Sequence, residues 1–257
     1  MPNTTLIQDH DISEYVSGLS LAEPEAGFPK SKDAATDQVA EGVEQSFLNA
    51  KSLVSFVSEL NGQRRKDVLN SVLIAQLAAN KAHPDESQIL DWYKTFIDVL
   101  NKLGWVIEAA EFSEWESKGS VFEVENAIID ILTAAFGGTF VSVIKKTLSA
   151  IKDLADSNGK ITAFEKNTHS ISKGAFQIGI AKEENDTVAM QIGTFLLTSD
   201  NQIKKILFFK STKESTKLNY CSRKGTLNEE LYAKGRDAIV EKLGNRVTEF
   251  VTVIDID

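Results

Sequence analysis

From Asp37 to about Trp115 the apolar positions recur at helical spacing. In "DQVAEGVEQSFLNAKSLVSFVSEL" Val39, Val43, Phe47 and Val54 fall on or near one face. "RRKDVLNSVLIAQLAANKA" repeats the spacing with Val68, Val72, Ala75 and Ala79, and Pro84 breaks the chain after it. "SQILDWYKTFIDVLNKLGWVI" carries Leu90, Tyr93, Ile97 and Leu100, with Gly104 as a stop. After residue 160 the period becomes two. "GAFQIGIAK" alternates Phe176, Ile178 and Ile180 against Gln177, Gly179 and Ala181. "EEND" is a turn. "TVAMQIGTFLL" then alternates through Val188, Met190 and Ile192 and shifts phase to Phe195 and Leu197, which predicts a bulge at Gly193. "IKKILFFK", with four apolar residues in a row from Ile206 to Phe209, reads as a strand covered on both faces, and "TKLNYCS" as its neighbour. Thr226 and Glu229 read as a capping box opening a late helix that Gly244 ends, and "RVTEFVTVIDI" reads as a final strand.

The expected architecture is α+β: a helical N-terminal half packed on a C-terminal antiparallel meander, followed by the late helix and last strand. Residues 1–36, with Pro2, Pro24 and Pro29, read as a loosely packed N-terminal arm, docked, disordered or removed as a pro-segment. Residues 37–257 form one domain, mainly helical over 37–160 and mainly sheet over 161–257.

Between these halves lies the most apolar stretch, "VENAIIDILTAAFGGTFVSVIKKTLSAIKDL". Its uncharged run, Ile131 to Ile144, is shorter than the ~20 residues a spanning helix needs, and Gly137-Gly138 divides it. Val124, Ile128, Ile131, Leu132 and Ala135 make one stripe; Phe140, Ile144, Leu148 and Ile151 make another. Two amphipathic helices on a Gly-Gly hinge are expected, resting on the sheet and able to lie on a bilayer if released.

Composition is that of a folded chain: 257 residues, 42% hydrophobic, 25% charged. The net charge of -9 argues against nucleic acid as a partner. The N-terminus has no basic region followed by an apolar run, which predicts synthesis in the cytoplasm and, for an exported protein, release by lysis or a non-classical route.

Against that negative charge, residues 202–224 carry Lys204, Lys205, Lys210, Lys213, Lys217, Arg223 and Lys224 with one acid, Glu214. They read as a guarded sheet edge or as contacts for an anionic surface. Cys221 is the single cysteine, so no internal disulfide forms; it reads as a core residue, with a reactive thiol beside His169 or an acylation site as the alternatives. His10, His83 and His169 have no metal-ligand spacing, and no nucleotide, nucleophile-elbow or C-x-x-C motif occurs. "LADSNGKITAFE" matches an EF-hand loop at Asp156, Asn158, Gly159, Ile161 and Glu165 but places Leu154 where the first carboxylate belongs. No metal, cofactor or catalytic residue is expected.

The order of the apolar helices, the hairpin meander, "KKILFFKST" and "STKLNY" resembles the Cyt-type α/β cytolysins over about residues 124–222. That resemblance implies an antiparallel sheet wrapped in helical hairpins, activity on membranes, lipid as partner with self-assembly on it, and no catalytic residues. The function expected is a membrane-active toxin or virulence factor. The rivals are a binding protein that docks through the aromatic 90–105 segment, and an enzyme with a site near Cys221.

Overall fold

A computed structural model describes residues 11–23, 35–117, 119–154 and 159–256. In chain order the elements are α1 (Ile12–Gly18), β1 (Gln45–Asn49), β2 (Ser52–Phe56), α2 (Gly62–Ala82), α3 (Ile89–Lys102), β3 (Trp105–Ile107), β4 (Ser113–Trp115), β5 (Phe122–Glu123), α4 (Val124–Phe136), α5 (Gly138–Asp153), α6 (Gly159–Thr168), β6 (Lys173–Glu184), β7 (Thr187–Thr198), β8 (Lys210–Ser211), β9 (Lys217–Leu227), α7 (Glu229–Leu243), α8 (Arg246–Phe250) and β10 (Val251–Ile254).

The main sheet runs β10-β1-β2-β6-β7-β9-β3, with β4 also paired to β9. All neighbours are antiparallel except β2 and β6. The meander β6-β7-β9 is its centre. The β6-β7 turn is two residues, Asn185 and Asp186, at φ 52° and 59°. Positive φ at both positions gives a turn whose twist matches the strands it joins, and Asn and Asp tolerate it best after glycine.

Helices cover both faces of the sheet. One core joins it to α2, α3 and α7; a second joins it to α4, α5 and α6. α2 carries Arg65, which is fully buried yet donates to the carbonyls of Leu60, Val43 and Val57 at 2.7–2.8 Å. Asp67, two residues on and also buried, takes a two-pronged contact from Arg236 of α7 at 2.9 and 2.8 Å.

The segment read as one helix from Asp37 is instead the hairpin β1-β2, turning at Ala50 (φ 52°). Both strands are buried on both faces, so alternation is absent and a short apolar run mimics a helix stripe. The late helix starts two residues beyond Thr226: Asn228 is its cap, accepting from the Leu231 amide at 3.0 Å, and the Glu229 carboxylate goes to Arg64 and the Val188 amide. α8 occupies the start of the expected final strand.

"IKKILFFK" is not a strand. Only Lys210–Ser211 is extended, paired with β5 in a two-stranded ribbon. Ile203, Ile206, Leu207 and Phe209 are nevertheless buried, as irregular chain plugging the second core. The Ile206 amide donates to the Glu165 carboxylate at 2.9 Å, a side-chain bond in place of a ladder bond. Gly193 marks no bulge either, since β6-β7 and β7-β9 pair in unbroken register through it.

Of the expected N-terminal arm, residues 1–10, including His10, and 24–34 lie outside the described residues. Ile12 and Val16 of α1 are buried against α7, where a Cβ on Gly235 would sit 2.1 Å from Ile12.

Candidate functional site

α4 and α5 form the hairpin that the stripes predict. Ten large apolar side chains face inward: Val124, Ile128, Ile131, Leu132 and Phe136 from α4, and Val141, Val143, Ile144, Leu148 and Ile151 from α5. Ala135, expected in the first stripe, is exposed, and Phe140, expected in the second, is half-buried. At ~1.5 kcal/mol per side chain, exposing this layer to water costs on the order of 15 kcal/mol. The hairpin therefore stays down unless another apolar phase replaces the sheet.

Gly193 explains how α4 lies so close. A Cβ there would stand 2.8 Å from Leu132 Cδ2 and 3.0 Å from the Phe195 ring. Phe195 is itself stacked on Phe176 with centroids 4.9 Å apart. At α5 the contact is polar as well: Ser46 Oγ of β1 sits 2.7 Å from Thr147 Oγ1 and 2.8 Å from Ser55 Oγ, all buried. Lys146 pairs with Glu44 at 2.7 Å, and Lys182 of β6 lies 4.7 Å above the Phe140 ring. Lys152 pairs with Glu125 at 3.1 Å, which ties the two helices to each other at the end opposite the joint.

The joint is exposed. Gly137 adopts φ 83°, ψ 154°, a region that L side chains avoid, and donates to the Thr133 carbonyl at 3.1 Å. A Cβ on Gly137 or Gly138 would meet nothing within 4 Å.

The basic residues of 202–224 do not form one face. Lys210 pairs with Glu123 at 2.9 Å, Lys217 with Glu114 at 3.2 Å, and Lys224 with Glu184. Lys182 and Lys224 together hold the Glu184 carboxyl down to about 2. Arg223 donates to the Glu108 and Ala110 carbonyls and stacks 5.4 Å over Tyr93. Lys204, Lys205 and Lys213 are exposed on the irregular 203–213 segment.

Cys221 is buried in β9 opposite Thr194. His169 is elsewhere, bridging Gly174 before β6, with Nε2 3.1 Å from Glu165 Oε2 and Nδ1 on the Ser170 carbonyl. Acceptors at both nitrogens, Glu165 first, raise its pKa. In the EF-hand-like stretch Asp156 and Asn158 lie outside the described residues, while Gly159 opens α6 and Glu165 is engaged by His169 and the Ile206 amide. Among the described residues no three carboxylate, His or Cys groups gather as a metal site. Trp92 and Trp105 are 4% and 2% exposed, so the aromatic segment is core and not a docking face. No helix among the described residues is long and apolar enough to cross a membrane.

No family model matches this chain, and no curated protein does. Among solved structures it is similar to a delta-endotoxin, at 11% identity and a TM-score of 0.42 over 81% of this chain and 89% of that one. It is similar to the activated Cyt2Ba monomer from Bacillus thuringiensis subsp. israelensis, at 16% identity and 0.32, over 52% and 79%. It is also similar to the Evf virulence factor, at 12% identity and 0.40, over 93% and 89%. These likenesses are of fold alone and too distant to carry function.

Proposed function

We propose that this protein is a membrane-active, toxin-like protein that stores the α4-α5 hairpin on its sheet and transfers it to a bilayer. The observation that carries the reading is the hairpin itself: two amphipathic helices, tied to each other, folded about an exposed glycine joint over a sheet with a separate core on its other face. The transfer exchanges one apolar surface for another, which is the only inexpensive way to uncover ten buried side chains. With 13 and 16 residues at about 1.5 Å each, the helices reach ~20 and ~24 Å, short of the ~30 Å hydrocarbon layer. They accordingly lie in the interface, and perforation calls for several copies of the chain together. Lys204, Lys205 and Lys213, exposed, are the first contacts for anionic lipid.

A crosslink tests this. The hydroxyl contact between Ser46 and Thr147 brings the two Cβ atoms near the ~3.5–4.5 Å separation of a disulfide. Ser46→Cys with Thr147→Cys, oxidised, pins α5 to β1; Cys221 is buried on another strand and stays out of exchange. The oxidised protein is expected to leave anionic vesicles intact and the reduced protein to release their dye. Equal leakage in both states sinks the release of the hairpin. No leakage or flotation by the wild-type chain at micromolar concentration, whole or trimmed of its N-terminal arm, sinks the function.

A further inference from the structure

At the end of the sheet where α3 and α6 approach each other, a cleft of about 100 Å³ opens. It shares Lys51, Trp92 and Leu196 with a smaller recess of about 10 Å³ that continues inward to Gln177. A volume of that size admits one oxygen atom or water.

The walls are held in place. Lys51 follows the left-handed Ala50 in the β1-β2 turn; its amide donates to Gln76 Oε1 at 2.9 Å and its carbonyl accepts from the Gln177 amide at 3.0 Å. The turn is thereby anchored on both sides and aims the ammonium across the Trp92 ring, 5.4 Å from its centroid. Trp92 is fixed in turn by its Nε1–H on Asn80 Oδ1 at 2.7 Å. Among the described residues Lys51 has no carboxylate in ion-pair contact. Gln177 is 3% exposed; Ser52 donates to its Oε1 at 2.9 Å, which turns Nε2 away, and Nε2 has no hydrogen-bond partner among the described residues. Thr194 Oγ1 and Tyr93 Oη at the same wall are likewise buried without a hydrogen-bond partner among the described residues, and the recess itself shows only apolar surface.

Lys173 adds positive charge at the cleft wall, where His169 is committed to Glu165. Two acids also line it. Asp85 is committed to capping the 3₁₀ turn Glu86–Gln88, accepting from the Ser87 amide at 2.7 Å. Burial lowers the Lys51 pKa, and the field of Glu86 opposes that by favouring the ammonium.

We propose that this cleft binds a small oxyanion, a carboxylate or phosphate on a compact apolar or sugar body, with the charge on Lys51. The body rests against Ile89, Trp92 and Leu196. Glu86 competes with the ligand for the lysine and sets its affinity. The site is separate from the α4-α5 layer and is measured without any membrane.

Calorimetric titration of the whole chain with inorganic phosphate, benzoate and N-acetylneuraminate tests it, with phosphatidylserine vesicles as a separate arm. At least one free anion is expected to bind. Lys51→Met weakens that binding roughly tenfold or more, as expected for a charge-assisted bond. Glu86→Gln tightens it, a gain that misfolding does not mimic. The proposal is overturned if no free anion binds, if Lys51→Met, folded by circular dichroism, binds as wild type, or if Glu86→Gln weakens binding. Lys51-dependent binding to vesicles with none to free anions also overturns it, since the site would then read a lipid surface.

Discussion

Gly193→Ala probes the seat of the hairpin. The new methyl would stand 2.8 Å from Leu132 Cδ2 and 3.0–3.2 Å from two atoms of the Phe195 ring. Phe195 is buried and stacked on Phe176, so the ring has little room and the helix must give. Overpacking of this kind costs about 1–3 kcal/mol. Leu132→Ala removes the obstructing side chain and costs about 2–5 kcal/mol through the cavity it leaves. If the two positions touch, the double variant loses less than the sum, by more than the ~0.5 kcal/mol scatter of independent sites. Urea unfolding followed by far-ultraviolet circular dichroism supplies the three differences. Under the proposed function, dye release from anionic vesicles, run beside it, is expected to quicken for Gly193→Ala, because the substitution weakens the seating of α4 and leaves the apolar face of the helix untouched. An unchanged urea midpoint for Gly193→Ala, or strict additivity in the double variant, refutes the seating of α4 on Gly193.

The joint separates its two glycines. Gly137→Ala, at φ 83°, is expected to lose about 1–3 kcal/mol, whereas Gly138→Ala, in open space and inside α5, is expected to be neutral or stabilising; thermal melts of both decide it, and equal losses refute the assignment. His169 has its folded pKa raised, chiefly by Glu165, so its contribution is complete below the unfolded value of about 6.5 and fades as pH rises through the higher folded value. Tm is therefore expected to fall across that window in wild type and to stay flatter in His169→Gln; identical slopes refute it. Asp67→Ala removes the partner of the partly solvated Arg236 and is expected to cost about 1.5–3 kcal/mol in urea unfolding, the range for hydrogen bonds to a charged group; a loss below about 0.5 kcal/mol refutes the pair's role.

The hairpin was legible because its stripes are long, its charges sit at helix ends, and a glycine pair divides it. The meander was legible for a similar reason: the apolar positions of β6 alternate from Phe176 to Ile180, those of β7 from Val188 to Ile192, and the two strands share a polar turn. β1 and β2 were not, because five-residue strands buried on both faces leave no period to read. The 203–209 segment misled in the opposite direction, since its apolar run is buried by plugging a core and its Ile206 amide is satisfied by the Glu165 side chain. The basic cluster looked coherent along the chain, yet its main partners, Glu114, Glu123 and Glu184, come from elsewhere in the fold. The cleft had no signal at all: Lys51, Trp92 and Gln177 meet only after β2 has paired with β6.

That parallel pairing also orders events on the ribosome. The α4-α5 hairpin ends at Asp153, but β7 and β9, the strands that α4 packs on, are complete only at Leu227. At ~5–20 residues per second, the intervening stretch of about 70 residues takes roughly 4–15 s. For those seconds the apolar face of α4 has no sheet beneath it, and under the proposed function the first membrane it would meet is that of the cell that makes it.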